Sequence, residues 1–160
     1  MSESTNDEKE PSVELNTTFN HTIENYSFGN LSDETCIEIL KDGRTFSHFI
    51  EPWLAEKYPL THIKGCKKHD FTDKIHPEIL YDEKTFTKKS ACDFRPSNMK
   101  GAKREHNQEI FVEKTKNLII CVVSNIDFPN IKIRFVRGEN LLIDYPFGKI
   151  PLKDHVKFFN

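Results

Sequence analysis

The stretch ILYDEKTFTKK, residues 79–89, places two carboxylates and an ammonium group at the end of an apolar run. Side chains alternate between the faces of a β-strand, so Asp82 and Lys84 are predicted to share one face while Glu83 points to the other. Asp70 precedes them in KKHDF, where another apolar stretch has just ended. If the two strands are neighbours, their ends bring these carboxylates and the lysine to one edge of a sheet.

This combination of residue types is suited to phosphate chemistry. Mg²⁺ binds carboxylate and phosphate oxygens and keeps part of its water shell, which makes Asp70, Asp82 and Glu83 candidate metal ligands, with Mn²⁺ as a substitute. A lysine beside the metal can position an attacking water or stabilise the negative charge that grows on phosphorus. A local ion pair between the strand residues is the alternative, and such a surface pair contributes only about 0 to 1 kcal/mol.

The elements that must position these residues follow from capping signals and apolar periodicity. Ser32 is a predicted N-cap for a short helix in SDETCIEILKDG, and Phe46, Phe49, Ile50, Trp53 and Leu54 form the apolar stripe of a second helix. The remaining predicted elements are strands in LTHIKGCKKHDF and EILYDEKTFTK, a helix in REHNQEIFVEKTK, and strands in NLIICVVSNI and IKIRFVRG. This order predicts an α/β fold with a mixed central β-sheet flanked by helices.

Three regions are predicted along the chain. Residues 1–15 are polar and acidic and are expected to be a disordered tail. Residues 16–44 form an N-terminal arm that ends in the first short helix, and residues 45–160 form the α/β domain.

At this point the chain resembles the PD-(D/E)XK nuclease superfamily, which includes many restriction endonucleases. Asp70 matches the first metal-binding aspartate of that family, and Asp82, Glu83 and Lys84 match its acid-x-lysine tripeptide. The resemblance covers residues 45–137. It implies a restriction-endonuclease-like core and a Mg²⁺-dependent DNA endonuclease in which Asp70, Asp82 and Lys84 are catalytic.

The sequence departs from the family pattern in two places. His69 stands before Asp70 in place of a proline, and Asp73 competes for the role of the first aspartate. The family often adds an acid from its first helix. We take Glu51 as that catalytic candidate, with Glu56 as the alternative.

A basic segment follows the proposed metal site. Residues 84–104 contain seven Lys or Arg residues and a single acid, Asp93, although the whole chain has a formal net charge of −2. Clustered cations of this kind suit a phosphate backbone. Those predicted to bind DNA are Lys88, Lys89, Arg95, Lys100, Lys103 and Arg104. Phe94 in the same loop is a candidate for contact with a base or for a core position.

Two other site types are open from the sequence. Cys66 and His69 have the spacing of half a zinc site, for which Cys92, His76 or His106 could supply further ligands. The same basic loop could instead belong to a DNA-binding or partner-binding module that hydrolyses nothing. A nuclease should require a divalent metal, whereas a binding module should be indifferent to it.

Composition indicates the cellular compartment and the partners to expect. The four cysteines form no CxxC pair, and MSESTNDEKE has no apolar stretch of the kind found in signal peptides, so we expect a reduced, cytoplasmic protein. No segment is apolar for long enough to cross a bilayer. Cleavage of both DNA strands requires two sites, so the expected partners are double-stranded DNA and a second copy of the chain, with no membrane.

Overall fold

The computed structural model describes residues 9–65 and 69–160, which form eight strands and five α-helices. The strands are β1 (Thr18–Thr22), β2 (Leu60–His62), β3 (Phe71–Asp73), β4 (Leu80–Phe86), β5 (Cys92–Asp93), β6 (Leu118–Ser124), β7 (Asn130–Arg137) and β8 (Lys149–Ile150). The helices are α1 (Asp33–Lys41), α2 (Gly43–Lys57), α3 (Gln108–Lys116), α4 (Gly138–Asp144) and α5 (His155–Phe158).

Six of the strands form one mixed sheet in the order β1-β7-β6-β4-β3-β2, while β5 and β8 form a separate antiparallel pair. β3 pairs antiparallel with both β2 and β4, whereas β4 pairs parallel with β6. Helix α3 lies in the connection between the two parallel strands, as a parallel pair requires. The predicted α/β fold with a mixed sheet flanked by helices is confirmed.

The sheet separates two apolar clusters, and strand β6 contributes to both. All seven of its residues are buried. Cys121 and Val123 belong to the cluster that contains Ile50 and Leu54 of α2, whereas Ile120 and Val122 belong to the one that contains residues of α3 and α4. A strand covered on both faces explains the unbroken apolar run LIICVV in the sequence.

The two N-terminal helices begin at side-chain caps. The Ser32 hydroxyl accepts a hydrogen bond from the Thr35 N–H at 3.2 Å, and the Asp42 carboxylate accepts one from the Thr45 N–H at 3.1 Å. Pro52 lies inside α2, which continues through it to Lys57. No helix in the described ranges is long and apolar enough to cross a membrane.

The N-terminal part of the chain is more closely integrated than its polar sequence predicts. Residues 1–8 lie outside the described residues, but Val13, within the predicted tail, is buried against the first cluster. The predicted arm contains β1, which pairs antiparallel with β7, and Leu40 of α1 is buried in the same cluster. The predicted boundaries at residues 16 and 45 therefore do not mark separate structural units.

The segment predicted as one strand before Asp70 contains two short strands. β2 ends at His62 and β3 begins at Phe71, so with β4 and the short β5 four strands rather than two lie between α2 and α3. Gly65 takes a φ of +90° in the connection between them, a conformation that favours glycine. The difference matters for the site, because Asp70 lies directly before β3.

Candidate active site

Asp70 lies where strand β3 separates from β4. Phe71 pairs with Tyr81, but β3 does not extend along the second half of β4. Beyond the end of β3, the Asp70 carboxylate replaces the backbone partner of β4 and accepts a hydrogen bond from the Glu83 backbone N–H at 2.8 Å. In return the Asp82 carboxylate accepts a hydrogen bond from the Asp70 N–H at 3.2 Å. These bonds hold both side chains at the free edge of the strand.

Glu51 of α2 joins Asp70 and Glu83 in a cluster of carboxylates. Burial, the negative charge of Asp70 and a hydrogen bond with the Asp70 carboxyl group, together with the charges of Glu83 and Asp82, raise the pKa of Glu51 to about 8. His62 lies nearby, with its Nε2 atom 3.7 Å from Glu51 Oε2. The crowding of acids favours either a bound proton or a bound cation.

Glu83 and Asp82 are both sheltered from solvent. Glu83 is only 7% exposed, and burial raises its pKa to about 7, with the charge of Asp70 adding to the rise. Thr85 donates a hydrogen bond to the Glu83 carboxylate. Burial also raises the pKa of Asp82, against the effect of the Lys84 charge. Three carboxyl groups of the cluster thus have pKa values above their ordinary range.

The structure gives Asp70 and Asp73 different environments. Asp73 is 1% exposed, and its carboxylate accepts hydrogen bonds from the Tyr81 hydroxyl at 2.6 Å and from the Ser12 N–H and hydroxyl, each at 2.7 Å. Although burial opposes it, these bonds together with the His76 N–H hold the pKa of Asp73 well below its usual value. Asp73 is therefore a structural anchor for the N-terminal segment.

The two candidate glutamates on α2 also differ in their position relative to the cleft. The Glu51 side chain is 24% exposed and lines the cleft that contains Asp70 and Glu83. Glu56 is exposed to solvent and is absent from the lining of that cleft. They are five residues apart, so the helical rotation directs them away from one another.

Two lysines form the cationic part of the site. Lys84 of β4 donates a hydrogen bond to the Arg95 carbonyl oxygen at 3.2 Å, and Lys100 donates one to the Asp93 carbonyl oxygen at 2.7 Å. Burial and the positive charge of Lys84 lower the pKa of Lys100 to about 8. The loop carbonyls therefore fix both ammonium groups on the side of the cleft formed by the basic segment.

The carboxylates and lysines line one cleft of about 960 Å³. Four further cationic or imidazole side chains line it, three of which the sequence interpretation did not single out. They are Arg44 and His48 of α2, Arg104, and Lys114 of α3. Arg44, His48 and Glu51 are spaced by four and three residues, which is the spacing of one helical face. This spacing of polar residues is the sequence signal that could have identified Arg44 and His48 as cleft residues.

The residues predicted to bind DNA are distributed unevenly around this cleft. Lys100 and Arg104 line it, whereas Lys88, Lys89 and Lys103 are exposed outside its lining. The Arg95 guanidinium instead pairs with the Asp93 carboxylate through contacts of 2.9 and 2.7 Å.

Phe94 has a core position. It is 2% exposed and its ring lies 5.7 Å from that of Phe111. The two readings that the sequence left open for Phe94 are thereby decided, because so deeply buried a ring cannot stack on a base.

The predicted zinc ligands do not come together in the described part of the chain. Cys66 lies outside it, Cys92 is fully buried, and the His106 ring is hydrogen bonded to the Gln108 side chain. His69 Nδ1 lies 3.9 Å from Asp82 Oδ1. Within residues 9–65 and 69–160, no group of three or more His, Cys, Asp or Glu side chains is arranged to hold a metal ion by itself.

The arrangement offers two kinds of chemistry in one cleft. Clustered carboxylates can take a proton or a hard cation, and adjacent ammonium groups can bind an anion. Comparisons of the chain with protein-family models, curated proteins and solved structures gave no match.

Proposed function

We propose that this protein is a metal-dependent endonuclease that hydrolyses phosphodiester bonds in DNA, with a restriction-endonuclease-like core. The observation that carries the proposal is that Glu51, Asp70 and Glu83 line the same cleft as Lys84 and Lys100. A phosphodiester needs both kinds of group, since its hydrolysis adds negative charge to phosphate oxygens and requires an activated water.

The donor set fits Mg²⁺. The carboxylates offer oxygen ligands, and burial together with the negative charge of Asp70 raises the pKa values of Glu51 and Glu83. Mg²⁺ is usually held by one or two protein carboxylates, with water and phosphate oxygens completing the shell, so a three-ligand protein cage is unnecessary. Asp70 and Glu83 would hold the metal, with Glu51 and Asp82 beside them. When bound, Mg²⁺ would supply Lewis-acid chemistry at the phosphodiester.

The protein's own residues have separate tasks in this proposal. Asp70 fixes the edge of β4 through the Glu83 N–H, so the carboxylates keep their relative positions without substrate. Glu51, whose pKa is raised to about 8, can accept a proton from the attacking water at basic pH, where its carboxylate is ionised. Lys84 stabilises negative charge on the phosphate oxygens. Breaks in both strands require two such sites, which favours a second copy of the chain.

A plasmid-nicking assay tests this function. Supercoiled DNA is incubated with Mg²⁺ or EDTA and with Glu83→Gln or Lys84→Ala, using the exposed-residue variants Glu56→Gln and Lys88→Ala as matched controls. We expect nicking only with metal, loss of nicking in the two cleft variants, and retention in the controls.

The opposite result identifies the alternative function. If no divalent metal supports cleavage while DNA is still retarded in a gel, the protein is a binding module and the hydrolase proposal is wrong. Equal cleavage by the cleft and control variants would place the activity outside this cleft.

A further inference from the structure

Lys84 and Lys100 come from different parts of the chain but meet in the same place. Lys84 projects from the middle of β4, and Lys100 follows the short 3₁₀ turn Ser97–Met99. Both line one cleft, and the carbonyl oxygens that accept their hydrogen bonds belong to residues only two apart in the chain. Lys84 donates to the Arg95 carbonyl oxygen just after β5, and Lys100 donates to the Asp93 carbonyl oxygen at the end of β5. The loop therefore holds two like charges next to each other.

Neither ammonium group has a carboxylate partner. Among residues 9–65 and 69–160, no carboxylate oxygen lies within 4.0 Å of Lys84 Nζ or Lys100 Nζ. The nearby Arg95 is neutralised by Asp93, so the same loop does provide a counter-charge to a different cation. Two adjacent, partly buried cations without a carboxylate in direct contact repel each other, and an anion bound between them would relieve the repulsion.

The pair also lies in the right place for a phosphate. Both lysines line the cleft that contains Asp70 and Glu83. A phosphoryl group has at least two non-bridging oxygens. One of these oxygens can face each ammonium group while the rest of the phosphoryl group faces the carboxylates. A single lysine would leave one of those oxygens without a charged donor.

We propose that Lys84 and Lys100 together form a phosphoryl-binding site that holds the non-bridging oxygens of the phosphate to be cleaved. The role at the scissile phosphate rests on the proposed function, whereas the anion site does not depend on catalysis. Lys100 thereby becomes a catalytic residue that touches the reacting group, distinct from cations that hold the DNA backbone elsewhere. Lys103, three residues away and exposed outside the cleft, has no such position.

Inorganic phosphate is the probe for the anion site. Its binding is measured by isothermal titration calorimetry on the full chain in EDTA, at constant ionic strength, for the wild type and the variants Lys84→Gln, Lys100→Gln and Lys103→Gln. Glutamine keeps an N–H donor and removes the charge, on a side chain that is one bond shorter. We expect Lys84→Gln and Lys100→Gln each to weaken phosphate binding by about tenfold or more, because each removes one charged hydrogen bond, while Lys103→Gln leaves it unchanged.

Circular dichroism and thermal melting establish that each variant is folded. If Lys100→Gln fails to fold, Lys100→Arg, which keeps the charge, replaces it and must retain phosphate binding while Lys84→Gln loses it. Absence of phosphate binding in the wild type, or equal binding by the wild type and all folded variants, overturns the proposal.

Plasmid nicking then separates the two proposals. If phosphate binding depends on both lysines and no DNA is cut, the anion site stands and the nuclease function fails. If DNA is cut at the wild-type rate by Lys100→Gln, the function stands and the role of Lys100 at the scissile phosphate is overturned.

Discussion

The Asp70 carboxylate accepts a hydrogen bond from the Glu83 backbone N–H at 2.8 Å and thereby replaces the missing strand beside the second half of β4. A strand N–H is an obligatory donor, and here it finds a side chain in place of a neighbouring backbone carbonyl. The same contact gives Asp70 a fixed orientation toward the cleft. This one hydrogen bond therefore both completes the edge of β4 and positions a carboxylate for the proposed chemistry.

Substitutions at Asp70 should separate these two contributions. Asp70→Ala removes the acceptor of the Glu83 N–H and should lower the free energy of unfolding by about 1 kcal/mol, whereas Asp70→Asn keeps an acceptor and should cost less. Urea unfolding measures the difference. Both variants should lose plasmid nicking because both lose the charge, and nicking by Asp70→Asn at the wild-type rate would rule out the metal role of Asp70.

The carboxylate cluster should make stability depend on pH. The pKa values of Glu51 and Glu83 rise from 4.5 to about 8 and about 7 on folding, so the folded chain binds more protons than the unfolded chain between these limits. The free energy of unfolding in EDTA should therefore fall as pH rises from about 4.5 to about 8. Glu51→Gln should reduce this slope in chemical denaturation, and Glu56→Gln should not. An unchanged slope in Glu51→Gln would contradict the cluster.

Metal binding should compete with those protons. Mg²⁺ needs deprotonated carboxylates, and a ligand that binds only the folded state raises the melting temperature. We expect Mg²⁺ to raise the melting temperature more at pH 8 than at pH 6, and Glu83→Gln to abolish the increase. Thermal melting of Glu56→Gln provides the control. An equal increase in both variants would show that Mg²⁺ binds elsewhere.

Much of the frame of the site was predictable, because short-range patterns determine it. The alternation in β4 places Glu83 with buried Tyr81 on one face and Asp82 with Lys84 on the other, as the burial of the strand confirms. The apolar stripe of α2 likewise predicts which face packs on the sheet, as the buried Phe46 and Ile50 confirm.

The long-range contacts were not predictable in this way. Nothing local distinguishes Asp70 from Asp73, since the difference depends on Ser12, which is 61 residues away, and on Tyr81. The meeting of Lys84 with Lys100 depends on the path of a loop without periodicity. These contacts become visible only when the chain is folded.

The buried Asp73 network should contribute to stability and not to activity. The Tyr81 hydroxyl donates to the ionised Asp73 carboxylate at 2.6 Å in a fully buried setting. Tyr81→Phe should lower the free energy of unfolding by about 2 kcal/mol, the usual contribution of a hydrogen bond to a charged group. Urea unfolding measures this loss. Plasmid nicking by the folded variant should remain near the wild-type rate, and a selective loss of nicking would assign Asp73 a role in the site.

The cleft cation Arg44 should contribute more to DNA affinity than the exposed Lys88. Arg44 lines the cleft from the first turn of α2, whereas Lys88 lies outside its lining in the turn after β4. Each phosphate neutralised on duplex DNA contributes about 0.9 to the slope of log affinity against log salt, so Arg44→Ala should reduce that slope by about 0.9. Fluorescence anisotropy with a labelled duplex in EDTA, at several salt concentrations, measures it. Lys88→Ala should leave the slope nearly unchanged, and the reverse ranking would mean that DNA follows the exposed turn of the basic segment and not the cleft.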